Sequence, residues 1–144
     1  MKKHKASIIY VVFIITLFIL LKFCFMPVII SGSSMEPHYR ENQFAIATRI
    51  YGDIDRFECV VIKTNQKIIF KRVIGLPGEQ IEYKDNILYV NGEMIEDNYE
   101  VGITEDFIVV CDGYFCMGDN REVSRDSRNV GSFTEDQIIA KIGG

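Results

Sequence analysis

Tryptophan is absent from the 144-residue sequence, proline appears three times and histidine twice. With so few histidines, and with Cys24, Cys59, Cys111 and Cys116 forming no C-x-x-C pair, a structural zinc site has no ligand set. Spacing alone leaves open a disulfide between Cys111 and Cys116, which flank the turn-forming Asp112-Gly113-Tyr114-Phe115. Acidic residues are missing from the first 27 positions, where Lys2, Lys3, Lys5 and Lys22 give +4. The net charge of −4 therefore places −8 on the remainder, which lacks the basic footprint that nucleic acid requires. Beyond residue 27 no stretch keeps a 3.6-residue apolar period, so helices do not build that part. No G-x-S-x-G, Walker loop or H-E-x-x-H is present.

What is present begins with one long apolar run. Ala6 to Met26 is 21 residues with Lys22 as its sole charge. At about 1.5 Å per residue a helix of that length crosses a hydrocarbon core of about 30 Å. Lys22 lies near the far end, where its side chain can reach the interface. A cleaved secretory signal usually has an apolar region of about 7–15 residues; here Ala6–Leu21 alone supplies 16 uncharged residues, and no tidy cleavage site follows. Length and flanking charges also argue against a buried core helix. The expected plan is a cytoplasmic segment at 1–5, a transmembrane anchor at 6–27 and an extracytoplasmic domain at 28–144. The lipid bilayer is then a standing partner.

The remaining 117 residues suffice for one core. They read as short β segments: Phe44–Ile50, Cys59–Ile62, Lys67–Ile74, Gln80–Lys84, Ile87–Val90, Glu93–Ile95, then Phe107–Cys111 paired with Tyr114–Met117 as a hairpin. Asn91-Gly92 is a strong hairpin signal. Thr134–Ile139 offers one capped helical turn. The expected class is mainly β, a compact antiparallel, coiled-sheet catalytic domain on one N-terminal transmembrane helix.

Three stretches carry chemistry. Ser31-Gly32-Ser33-Ser34-Met35-Glu36-Pro37 offers hydroxyls in a small-residue loop, and the residues alone do not choose among Ser31, Ser33 and Ser34. Ile68–Glu79 places Lys71 between Ile69 and Val73 on one strand face, where a lysine is either a solvent-facing edge charge or a buried base. Burial lowers a lysine pKa and frees a neutral amine near neutral pH. Gly118–Arg128 packs three arginines, two aspartates, Ser124 and Ser127 into 11 residues.

Together, in this order, the three stretches resemble the bacterial type I signal peptidases, membrane-bound serine proteases with a Ser-Lys dyad. Ser-Met-x-Pro falls on Ser34-Met35-Glu36-Pro37, Lys-Arg-x-x-Gly-x-Pro-Gly on Lys71–Gly78, and the last motif on Gly118–Arg128. The resemblance implies Ser34 as nucleophile and Lys71 as general base. It further implies that Ser124 orients the lysine amine, that Asp126 and Arg128 form a bracing ion pair, and that Asp119 joins that network. The Ser34 N–H would be one oxyanion donor. Some family members add a serine hydroxyl two positions earlier; here Gly32 stands there, so the second donor must be another group, with the backbone a candidate. Met35 would line the substrate pocket. The implied substrates are preproteins with signal peptides, and no metal or cofactor is implied. His38-Tyr39 replace the usual Thr-Leu, Glu79 and Glu122 stand for aspartates, and the usual Gly-Asp pairs near 41–43 and 57–58 are missing. His38 is a weaker candidate base. Other readings are a narrow-client peptidase acting on a pilin or conjugation precursor, and an inactive membrane-tethered module of the same fold. A self-cleaving repressor would instead carry a DNA-binding region.

Overall fold

The computed structural model describes residues 2–142, with side chains from Ser7 onward. Helix α1 (Lys2–Cys24) is the one element among the described residues long and apolar enough to cross a membrane. From Ile8 to Phe23 its large apolar side chains are exposed, as a lipid-facing helix requires. The helix stops before the apolar run does: Phe25–Ile29 is strand β1. Pro27 cannot continue a helix, and the β-branched Val28 and Ile29 favour extension. Proline is tolerated there because β1 is an edge strand, its one partner being β2 (Phe44–Thr48), with Pro27 opposite Ile46.

The remaining elements are β3 (Cys59–Lys63), β4 (Ile68–Gly75), β5 (Gln80–Lys84), β6 (Ile87–Val90), β7 (Glu93–Ile95), β8 (Phe107–Val110), β9 (Phe115–Met117), the four-residue helix α2 (Ser127–Val130), a 3₁₀ turn at Glu135–Gln137, and β10 (Ile138–Ile142). Two antiparallel sheets result, ordered β1-β2-β10-β3-β4-β9 and β7-β6-β5-β8. The capped turn expected at 134–139 is present over its first residues, and Thr134 and Gln137 form its capping box. Strand β10, which follows directly, lacked a period long enough to announce itself, yet it sits in the middle of the larger sheet.

One expected pairing is replaced. Phe107–Val110 and Phe115–Met117 do not form a hairpin: β8 pairs with β5, and β9 with β4. The chain changes sheets at the intervening turn, where Tyr114 and Phe133 exchange backbone hydrogen bonds of 2.8 and 2.9 Å. Gly113 permits this approach, since a Cβ there would lie 2.5 Å from the Phe133 carbonyl oxygen. The change of sheet also sends Cys111 and Cys116 into different core clusters, and both are free thiols.

The core divides into three clusters. Ile30, Met35, Ala47, Val61 and Phe70 fill the space beneath the Ser31–Pro37 loop. Ile74, Ile81, Tyr83, Leu88 and Phe115 join the two sheets. Val60, Ile62, Val73, Cys116 and Phe133 lie on the opposite side of β3 and β4.

Candidate active site

Strand β4 supplies charge to both of its faces. Lys71 follows Ile69 and precedes Val73 on one face, while Arg72 shares the other with Phe70 and Ile74. Lys71 is 4% exposed. Its Nζ lies 2.6 Å from Ser34 Oγ, to which it donates a hydrogen bond; with a neutral amine the same contact runs the other way, from O–H to the nitrogen lone pair. Burial is the main cause that lowers the Lys71 pKa to about 8, and Asp126 opposes it by favouring the charged form. Of the three serines in the loop, it is Ser34 that meets the lysine.

The loop is fixed from several sides. Ile30 N–H donates to Gln43 O, and Tyr39 N–H to Met35 O. The Asn120 N–H donates to the Ser34 carbonyl at 3.0 Å. Gly118 allows this contact: a Cβ there would fall 2.5 Å from Ser34 O and closer still to Ser124 Oγ. The Ser34 N–H has no hydrogen-bond partner among the described residues, so it can serve a developing oxyanion. Gly32 has φ +83°, a conformation that favours glycine, and apart from its chain neighbours no described residue comes within 4 Å of where its Cβ would be.

Asp126 and Arg128 form the expected pair, bidentate at 2.9 and 3.0 Å, with Asp126 fully buried. Asp126 also accepts the Gly118 N–H and caps α2. Burial alone would raise its pKa, but Arg128 and the Gly118 N–H outweigh that and hold it low.

Three expectations change. Asp119 does not reach the Asp126–Arg128 pair; it accepts two hydrogen bonds from Arg72, at 2.8 and 2.7 Å, and meets His38 Nδ1 at 3.1 Å. The reason is strand alternation, which puts Arg72 on the face away from Lys71. His38 thereby engages Asp119 rather than acting on Ser34. Second, Ser124 Oγ is buried with no hydrogen-bond partner among the described residues, so it makes no bond to Lys71 in this state. It lies near enough to Asp126 to influence that carboxylate, but no contact of hydrogen-bond geometry joins them. Third, Met35 is 1% exposed and packs into the core under the loop instead of lining the groove.

Sequence reasoning missed Arg72, whose guanidinium also stacks 3.7 Å from the Tyr99 ring centre. A second charge adjacent to Lys71 in an apolar strand was the available signal. Arg121 was likewise unforeseen as a buried anchor: it binds Asp97, Glu100, Tyr83 and Thr104 and ties the smaller sheet to the Gly118–Arg128 loop.

Ser34 and Lys71 open onto a groove of about 550 Å³. Met26–Ile30 forms one wall and Lys67–Lys71 the other. Among the described residues both walls are unpaired edges. β1 pairs on one side only, and β9 covers β4 only over Arg72–Gly75. Among the described residues no cluster of His, Cys, Asp or Glu could hold a metal ion.

The family model described as signal peptidase, peptidase S26, matches residues 3–143. Signal peptidase I S of Bacillus subtilis is 37% identical, the match covering 89% of this chain and 80% of the relative. Signal peptidase IB of Staphylococcus aureus is 36% identical, with 93% and 83% covered. A solved signal peptidase I from Enterococcus faecalis aligns with a TM-score of 0.59 and 28% identity, over 65% of this chain and all of that one. The chain belongs to the signal peptidase family, peptidase S26.

Proposed function

We propose that this chain is a membrane-anchored serine endopeptidase that removes signal peptides from exported preproteins, with Ser34 as nucleophile and Lys71 as general base. The observation that carries the reading is a buried lysine amine 2.6 Å from a serine hydroxyl at the head of a groove with two unpaired strand edges. An extended peptide can add to those edges by main-chain hydrogen bonds, leaving its alternate side chains to shallow pockets. Neutral Lys71 takes the Ser34 proton as Oγ attacks the scissile carbonyl, and the Ser34 N–H stabilises the oxyanion. The Lys71 ammonium then protonates the leaving amine, and water hydrolyses the acyl-enzyme. Asp126–Arg128 holds the loop behind Lys71, and Arg72–Asp119 holds the chain on the other face of β4. Ser124 completes the site by turning its hydroxyl to the lysine amine when substrate excludes water.

The anchor is α1, with the N-terminus cytoplasmic and the β domain on the far side. Exposed Phe25, Ile29, Phe44 and Ile46 on the β1–β2 ribbon, directly after α1, support a domain lying at the bilayer surface. Preprotein cleavage by the detergent-solubilised chain tests the reading, with Ser34→Ala and Lys71→Ala as comparisons and circular dichroism as the folding control. Wild type should cleave and neither variant should. Activity at neutral pH in Lys71→Ala would overturn the lysine-base mechanism, and no cleavage of several preproteins by wild type would overturn the function.

A further inference from the structure

Among the described residues the groove walls carry Lys67, Lys71 and Arg125 but no aspartate or glutamate. Lys71 is engaged by Ser34. Lys67 and Arg125 are exposed, and neither side chain has an ion-pair or hydrogen-bond partner among the described residues. Several other cations are matched: Arg56 faces Glu79, Arg72 faces Asp119, Arg121 faces Asp97, Arg128 faces Asp126 and Lys141 faces Glu58. Arg40, Arg49, Lys63 and Lys84 are also without an ion pair among the described residues, but none of them lines this groove. Lys67 and Arg125 also share a neighbouring cavity of about 360 Å³, again lined without an acid. Two like charges converge on one concave surface of a domain that is otherwise acidic. A bound carboxylate would complement both charges.

The position of the pair along the groove follows from topology. Successive antiparallel pairings through β2, β10 and β3 make β1 and β4 run in the same sense. Their N-terminal ends, Met26 and Lys67, therefore mark one end of the groove, and the dyad marks the other. Met26 is two residues beyond α1, so that end faces the membrane. A substrate tethered in the membrane by its N-terminal part would enter from there. Lys67 precedes Lys71 by four residues, about 13 Å at roughly 3.3 Å per residue.

From this, and resting on the peptidase reading above, we infer that Lys67 and Arg125 form a charge-selective subsite favouring peptides with a carboxylate at the fourth or fifth residue before the scissile bond. The test uses the full chain in nonionic detergent, carrying Ser34→Ala so that bound peptide survives. Labelled signal-peptide fragments carry Glu, Gln or Lys at those two positions. An exposed ion pair shifts an equilibrium by about two- to fivefold, so two cations should favour Glu over Gln by about tenfold and place Lys last. The order should flatten at about 1 M salt, where the Debye length is about 3 Å. Lys67→Glu with Arg125→Glu, both exposed positions checked by circular dichroism, should invert the order. A flat order in the parent at low salt, or an unchanged order in the reversed variant, overturns the inference. An unchanged peptide order with altered binding to vesicles containing anionic lipid also overturns it, assigning the cations to the membrane. Cleavage of the same peptides by the Ser34 chain reports separately on the peptidase reading. Ordered binding without cleavage sinks that reading and keeps the subsite.

Discussion

Replacing Lys71 with methionine should abolish cleavage and make the protein more stable. Methionine keeps the length and removes the amine, so the substitution isolates the charge. Burial brings the Lys71 pKa down to about 8, against 10.5 in the unfolded chain. A folded pKa below the unfolded one means that the unfolded state binds more protons between the two values. The penalty is therefore full below about pH 8 and fades as pH rises toward 10.5. At about 1.4 kcal/mol per pH unit it amounts to about 3 kcal/mol at pH 7 and about 2 kcal/mol at pH 9. For a domain near this size, 3 kcal/mol corresponds to roughly 10 °C in Tm. Thermal melts of the full chain in detergent, wild type against Lys71→Met, at several pH values between 7 and 10 measure it. The variant should melt higher at pH 7, and its advantage should shrink steadily with pH. An advantage that is absent, or equal at pH 7 and 9.5, would show that the folded lysine is solvated and charged, and would remove the physical basis for its acting as a base.

The same titration governs catalysis: kcat/KM should climb about tenfold from pH 7 to 9 with a midpoint near 8, as the neutral amine fraction does, and a pH–rate profile reads this directly. Gly118→Ala should lower kcat by about a hundredfold, because the new methyl meets Ser34 O at 2.5 Å and must displace the nucleophile loop; steady-state kinetics and a melt of the variant check it. Asp126→Asn should destabilise by about 3 kcal/mol in a denaturant titration, since it leaves Arg128 without its partner charge and weakens the acceptor of the Gly118 N–H. Ser124→Ala should alter Tm little, because its hydroxyl has no bond to lose in this state, while kcat falls because the lysine amine loses its orienting hydroxyl during turnover; steady-state kinetics beside a thermal melt check both.

Local pattern carried most strands. The segments at 80–84, 87–90 and 93–95 stand where alternation and Asn91-Gly92 put them, since a hairpin is specified by its own residues. Partner choice between distant strands was not legible. Nothing local tells Phe107–Val110 to pair with β5 rather than with the next segment, and the deciding contact, Gly113 under Phe133, joins residues 20 apart in sequence. At the site, the motif order led to the Ser34–Lys71 contact. Side-chain destinations were harder to read, because they depend on which face of a strand each neighbour occupies. Arg72 and Asp119 meet on the face opposite Lys71, and Met35, flanked by loop residues, turns down into the core.

The two open strand edges have a consequence for how copies of this protein meet. An unpaired edge accepts any extended chain, including one from a second copy, and long apolar edges are prone to such joining. Here Pro27 removes one main-chain donor from the β1 edge, and Lys67 stands at the start of the β4 edge. Two copies approaching through their β4 edges would bring lysine against lysine. The groove thus stays open to a peptide while discouraging its own kind, and a concentrated solution should keep the protein monomeric for as long as those charges are unscreened.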